Sequence, residues 1–312
     1  MRILRCALVA LSIGFLLVPQ AVAADDIELE YADDDEWNER WPRFRWWEGV
    51  ATVALAAEAF TVRFALELDQ RSTVTGGLLF DDRVYEALNP RNDDVYHAWV
   101  FAGDVPFYAS IAWPLLDPLS VAAATGDWDA PTQMLLMNME SYSFLAAALW
   151  TTQHFVRRER PHSTDLCADD PQRASDREVS CGPERNRAFL GGHTAVVVMN
   201  ASLTCLHHTQ MDLYGDAGDA LVCGTWIAAA GVTFASRTVT GKHYLTDNIF
   251  GTGLGLVSGL AIPYLLHYAH DHMLVEDLED PAPQPDGPQV VGVSLQPDFG
   301  ERGLELSVHG TL

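Results

Sequence analysis

Apolar positions along the 312-residue chain gather into long blocks divided by short polar connections. Residues 49–68 are Ala-rich and mostly apolar, with Glu58 and Arg63 interrupting, the pattern of a helix with one wet face. A polar connection follows, from Gly76-Gly77 to Asp94, with a short helical piece around Val84-Tyr85. Residues 96–124 are apolar but cut by Asp104, Pro106, Pro114, Asp117 and Pro118, which predicts a broken element. Residues 133–156 predict one long helix carrying Glu140. Three further blocks hold no formally charged residue: 189–211, 220–236 and 248–270, of 23, 17 and 23 residues. A helix needs roughly 20 residues to span a bilayer. Together the blocks predict an all-α fold, an antiparallel bundle of about six core helices.

The two ends differ from this body. Met1-Arg2-Ile3-Leu4-Arg5 is basic, Cys6 to Val18 is apolar and Ala21-Val22-Ala23 is a small-residue cleavage site, so residues 1–24 predict a secretory signal peptide. Residues 25–45 form an acidic lead that turns aromatic and basic at Trp37, Arg40, Trp41, Arg43, Phe44 and Arg45, continued by Trp46 and Trp47. Such a cluster suits a membrane interface or the cap of a soluble core. The helical domain is expected over residues 46–272. Residues 273–312 begin as an acidic, proline-rich linker. Residues 290–295 and 304–308 then alternate around Pro297-Asp298-Phe299-Gly300, which predicts a short β-hairpin-like tail.

The net charge of −24 speaks against a nucleic-acid partner, since nothing here neutralises a phosphate backbone. It speaks equally against broad adhesion to anionic lipid. Two settings remain for the bundle: a membrane, favoured by the three uncharged blocks, or a soluble periplasmic protein with a very apolar core. In either, export places the mature chain in an oxidising compartment. Cys6 leaves with the signal, and Cys167, Cys181, Cys205 and Cys223 remain. Cys167 and Cys181 share one polar loop, while Cys205 and Cys223 flank the connection between two apolar blocks. Two local disulfides are expected, with buried thiols the alternative for the second pair.

Chemistry-bearing residues fall at the ends of apolar blocks. Ser236-Arg237 is followed by His243 and Asp247. On a helix, the last two would stack at i,i+4, so that Asp247 could orient one imidazole nitrogen and leave the other to attack an electrophile. Arg157-Arg158-Glu159-Arg160-Pro161 closes the 133–156 helix. Gly191-Gly192-His193-Thr194 opens the next block, where glycines let backbone N–H groups approach an anion. In an antiparallel bundle these three block ends share one rim. Two guanidiniums, two imidazoles and a carboxylate around a glycine nest suit phosphoryl transfer. No carboxylate cluster accompanies the histidines, so neither metal nor other cofactor is expected.

The order of these clusters resembles the type 2 phosphatidic acid phosphatase family, related to bacterial acid phosphatases and vanadium haloperoxidases. The family signature is K-x6-R-P, then P-S-G-H, then S-R-x5-H-x3-D. Ser236, Arg237, His243 and Asp247 match the third part in full. Arg160 and Pro161 match the first, but Gln153 stands at the lysine. Gly192 and His193 match the second, with Leu190 and Gly191 in place of proline and serine. The resemblance implies a metal-free mechanism. His243 attacks phosphorus, Asp247 orients it, and His193 protonates the leaving group and then activates water. Arg160, Arg237 and the Gly192 N–H hold the oxyanion, with Ser236, Gly191 and Gln153 around it, and Arg157 or Arg158 is a substitute for the absent lysine. The implied substrate is a phosphorylated lipid or small phosphoester, met at a membrane with the site facing the periplasm. The alternatives are a non-catalytic binder of phosphate or lipid headgroups and, last, a vanadate-dependent haloperoxidase.

Overall fold

A computed structural model describes residues 37–38 and 41–269. The expected signal peptide, the acidic residues 25–36 and the 273–312 linker and tail lie outside the described residues. Within them the fold is all-α, with nine α-helices and no sheet. Six are long: α1 (Trp46–Phe60), α3 (Asp93–Thr125), α4 (Asp129–Val156), α7 (Gly192–Gln210), α8 (Asp216–Val239) and α9 (Leu245–Leu256), the last prolonged by π-helical turns to Tyr268. Three are short: α2 (Asp81–Leu88), α5 (Pro161–Asp169) and α6 (Pro171–Asp176).

The broken element expected over 96–124 is instead one continuous helix, α3, through Pro106, Pro114 and Pro118. A proline has no N–H for the carbonyl four residues earlier, so Pro114 orphans the Ser110 carbonyl and Pro118 orphans that of Pro114. Helix α4 supplies the missing donors. The Tyr142 hydroxyl donates to Ser110 O at 2.5 Å and Asn138 Nδ2 to Pro114 O at 2.9 Å. Tertiary contacts thus repair the ladder that local sequence breaks. Tyr142→Phe, which removes only that donor, is expected to cost about 1–3 kcal/mol of stability, read as a shift in the denaturation midpoint; an unchanged midpoint would remove this account.

Helix α7 is the axis of the bundle and touches α3, α4, α8 and α9. Against α9 the contact is backbone to backbone. A Cβ at Gly251, Gly255 or Gly259 would lie under 3 Å from the carbonyl of Gly191, Ala195 or Met199 respectively. Glycine every fourth residue lets two helices approach this closely.

The polarity of the bundle is inverted. Asn200, Thr204, His207 and His208 of α7 are buried, whereas Val53, Phe60, Phe101, Ile111, Ile227 and Phe250 are exposed on the outside. His207 bonds Tyr268 and Asn138, and His208 bonds Asp117 and Asp219. Two helices are long and apolar enough to cross a membrane, Asp216–Val239 and Leu245–Tyr268, and they point to membrane association. The third uncharged block, 189–211, does not face outward but forms the sheathed axis α7. The aromatic lead divides: Trp37 and Trp41 are buried against Tyr268, while Trp46 is 82% exposed. Cys167 is bonded to Cys181, and Cys205 to Cys223.

Candidate active site

Three chain segments meet at one end of the bundle. Helix α4 stops at Arg157, whose backbone is left-handed with φ 43°. The chain then runs to Pro161, whose missing N–H costs nothing at the first position of α5. The Arg160 N–H donates to Arg185 O at 2.9 Å and that of His162 to Gly241 O at 3.1 Å. The second segment is the start of α7, where the Gly191 N–H donates to Asp247 O at 2.9 Å. The third joins α8 to α9, with the His243 N–H donating to Arg237 O at 3.1 Å.

This lacing brings His193 and His243 to 6.5 Å between ring centroids. His193 is half-buried with its ring 4.0 Å from that of Phe107, whereas His243 is only 2% exposed. His243 Nδ1 lies 2.7 Å from the Ala188 carbonyl. A carbonyl only accepts, so Nδ1 carries the proton and Nε2 holds a free lone pair. Burial, and then the Arg160 charge, holds this imidazole well below the ordinary histidine range. It is therefore neutral, and Nε2 is a competent nucleophile.

The guanidiniums of Arg160 and Arg237 stand beside it. Arg237 is fully buried; its Nη2 donates to the Asp104 carboxylate, and its Nε and Nη1 have no partner. Arg160 Nε is likewise buried without a partner. Arg160 is pushed down to about 10 by burial and the Arg237 charge. Buried donors are almost always paired, and three unpaired guanidinium nitrogens beside a nucleophile describe a site shaped for an oxyanion. His162, 3% exposed, also has an unpartnered Nδ1 and lies in charge range of Arg160, Lys242 and His243.

Several residues expected to orient His243 or to surround the oxyanion are engaged elsewhere. Asp247 is not on a helix with His243, which precedes α9 in a bend. Its Oδ2 accepts from the Tyr244 N–H at 2.9 Å, and its Oδ1 from Arg158 Nη1 at 2.6 Å. Ala188 takes the orienting place expected of Asp247. Gln153 Nε2 donates to Leu190 O at 3.2 Å, so its amide holds the loop before α7. Ser236 Oγ donates to Trp99 O at 2.6 Å, stitching α8 to α3. A Cβ on Gly191 would lie 2.5 Å from Asn248 Oδ1 and 3.0 Å from the Asp247 carbonyl, so a serine there would force its neighbours to shift. Gly192 remains half-buried at the helix start. Arg157 pairs with Asp69, and Arg158 is buried between Asp81 and Asp247 with its guanidinium 4.2 Å over the Tyr244 ring. Neither is free to replace a lysine. Asp81, Asp104, Phe107 and Ala188 were not legible as site residues, because each acts through a contact from a distant segment.

No curated protein and no solved structure matches the chain. Residues 136–271 match the family model of the PAP2 superfamily. That segment, somewhat under half of the chain, holds Arg160, His193, Arg237 and His243, and its match to the PAP2 superfamily, the family the three motifs resemble, supports a phosphatase-type enzyme.

Proposed function

We propose that the protein is a phosphatase that needs no metal and hydrolyses a phosphomonoester or pyrophosphate, that of a lipid before a soluble ester, through a phosphohistidine on His243. One observation carries this reading: the free Nε2 of a neutral imidazole lies among the unpaired donors of Arg160 and Arg237. In the first step His193, which burial and the Arg237 charge hold neutral, takes up the proton that a phosphate monoanion brings; Nε2 attacks phosphorus and the P–O bond to the leaving alkoxide breaks, with His193 passing that proton to the leaving oxygen. In the second, His193 takes a proton from water, the water oxygen bonds phosphorus and the P–N bond breaks. The centroid separation of 6.5 Å leaves room for a phosphoryl group between the rings, at about 3–3.5 Å for each reacting pair. Arg160, Arg237 and the Gly192 N–H hold the equatorial oxygens. Residues 46–272 are then the catalytic domain.

The lipid preference rests on the apolar exterior and on a cleft on the flank of the bundle. Val198, Ala201, Leu206, Ile227, Leu256 and Leu260 line it. The Cys167–Cys181 disulfide lies in the loop that delivers Ala188, which fits a site facing an oxidising periplasm. The binder reading draws support from Gln153 and Gly191, which leave the cradle two donors short of the family pattern.

Purified protein mixed with labelled phosphatidate or prenyl pyrophosphate in the presence of chelator is expected to turn over and to yield an acid-labile phosphoenzyme on His243. Anion binding with no phosphoenzyme and no turnover on any ester would instead establish the binder. Turnover that chelation abolishes would remove the metal-free scheme.

A further inference from the structure

We infer that Lys242 supplies the phosphate-binding cation that the chain lacks at position 153. The inference rests on the phosphatase reading and names a residue of its oxyanion cradle. Lys242 lies in charge range of both Arg160 and Arg237, and also of His162 and His193. It therefore shares the pocket with both guanidiniums and two of its imidazoles.

The backbone at Lys242 is clamped from both sides. Gly241 adopts φ +63°, where only glycine is unstrained, and a Cβ there would run into the Tyr85 ring. On the other side His243 is tied through its N–H to Arg237 O and through Nδ1 to Ala188 O. The half-buried lysine between them is thus delivered to the rim by the same turn that places the nucleophile.

The other candidates are engaged. The Gln153 amide is on Leu190 O, Arg157 is on Asp69, and Arg158 is locked between Asp81 and Asp247. Around Lys242 the carboxylates in charge range are Asp104, already bonded to Arg237, and Glu178. Burial and the Arg237 charge push the ammonium down to about 8. Three cations gathered in a partly desolvated rim repel one another, and a bound phosphate oxyanion converts that repulsion into attraction.

Calorimetric titration of the detergent-purified full-length protein with inorganic phosphate tests this. Lys242→Met is expected to weaken phosphate binding about tenfold or more, the equivalent of one charge-assisted hydrogen bond, and Lys242→Arg to retain most of it. The double variant Lys242→Met/Gln153→Lys, which returns a cation to the family's position, is expected to recover binding. A merely structural lysine would not be rescued from another helix. A wild type that binds and a Lys242→Met that binds equally well would overturn the assignment alone. So would a double variant no better than Lys242→Met. A wild type that neither binds phosphate nor hydrolyses any ester overturns the phosphatase reading with it.

Discussion

His243→Ala is expected to lower turnover on the order of 10⁴-fold or more, the scale on which removing a covalent nucleophile acts, and to abolish the phosphoenzyme. Phosphate binding should survive in part, because Arg160 and Arg237 keep their unpaired donors. His243→Gln serves as the control that fills the same space. Residual turnover within tenfold of wild type for both variants would leave the covalent scheme without its nucleophile. The pH profile follows from the same geometry. Only the neutral imidazole attacks, and burial with the Arg160 charge lowers its proton affinity. The acid limb due to His243 in kcat/KM should therefore lie well below pH 6.5, the ordinary histidine value. An acid limb at or above that value would mean that His243 is protonated in the working enzyme.

Asp247→Ala is expected to destabilise the fold by about 3–5 kcal/mol, because it leaves a buried arginine short of a partner. Arg158 is 1% exposed, and its two carboxylates, Asp81 and Asp247, are 1% and 0% exposed. The pair closes the end of α4 onto the start of α9 and, through Asp81, onto α2. Asp247→Ala also uncaps the Tyr244 N–H. Thermal or denaturant unfolding reads the loss directly. An Asp247 that oriented His243 would behave otherwise: Asp247→Asn would cut kcat steeply with the unfolding midpoint unmoved. That outcome would overturn the assignment of Ala188 as the orienting acceptor.

Much of the architecture was legible in advance because helices announce themselves locally. The blocks 49–68, 133–156, 189–211, 220–236 and 248–270 each became a long helix or most of one. The exception was instructive. Prolines in α3 predicted breaks because their cost is local, and the helix runs through them because Tyr142 and Asn138 reach the orphaned carbonyls from α4. The three uncharged blocks divide between inside and outside for a related reason. Absence of charge marks a block as apolar, but only packing shows that α7 lies inside the sheath while α8 and the α9 segment present their side chains outward.

The candidate site divides along the same line. Motif spacing by itself determined which chain segments meet, since Arg160, Gly192-His193 and Arg237–His243 sit at block ends that an antiparallel bundle must bring to one rim. The resemblance of Ser236, Arg237, His243 and Asp247 to the family's third motif named the nucleophile candidate. What each polar atom bonds was decided by the tertiary structure. Asp247, Gln153 and Ser236 were claimed by Arg158, Leu190 and Trp99, and the proton on His243 was set by the carbonyl of Ala188. Periodicity and spacing express forces that act over a few residues, whereas a hydrogen bond between segments more than thirty residues apart exists only once the chain has closed.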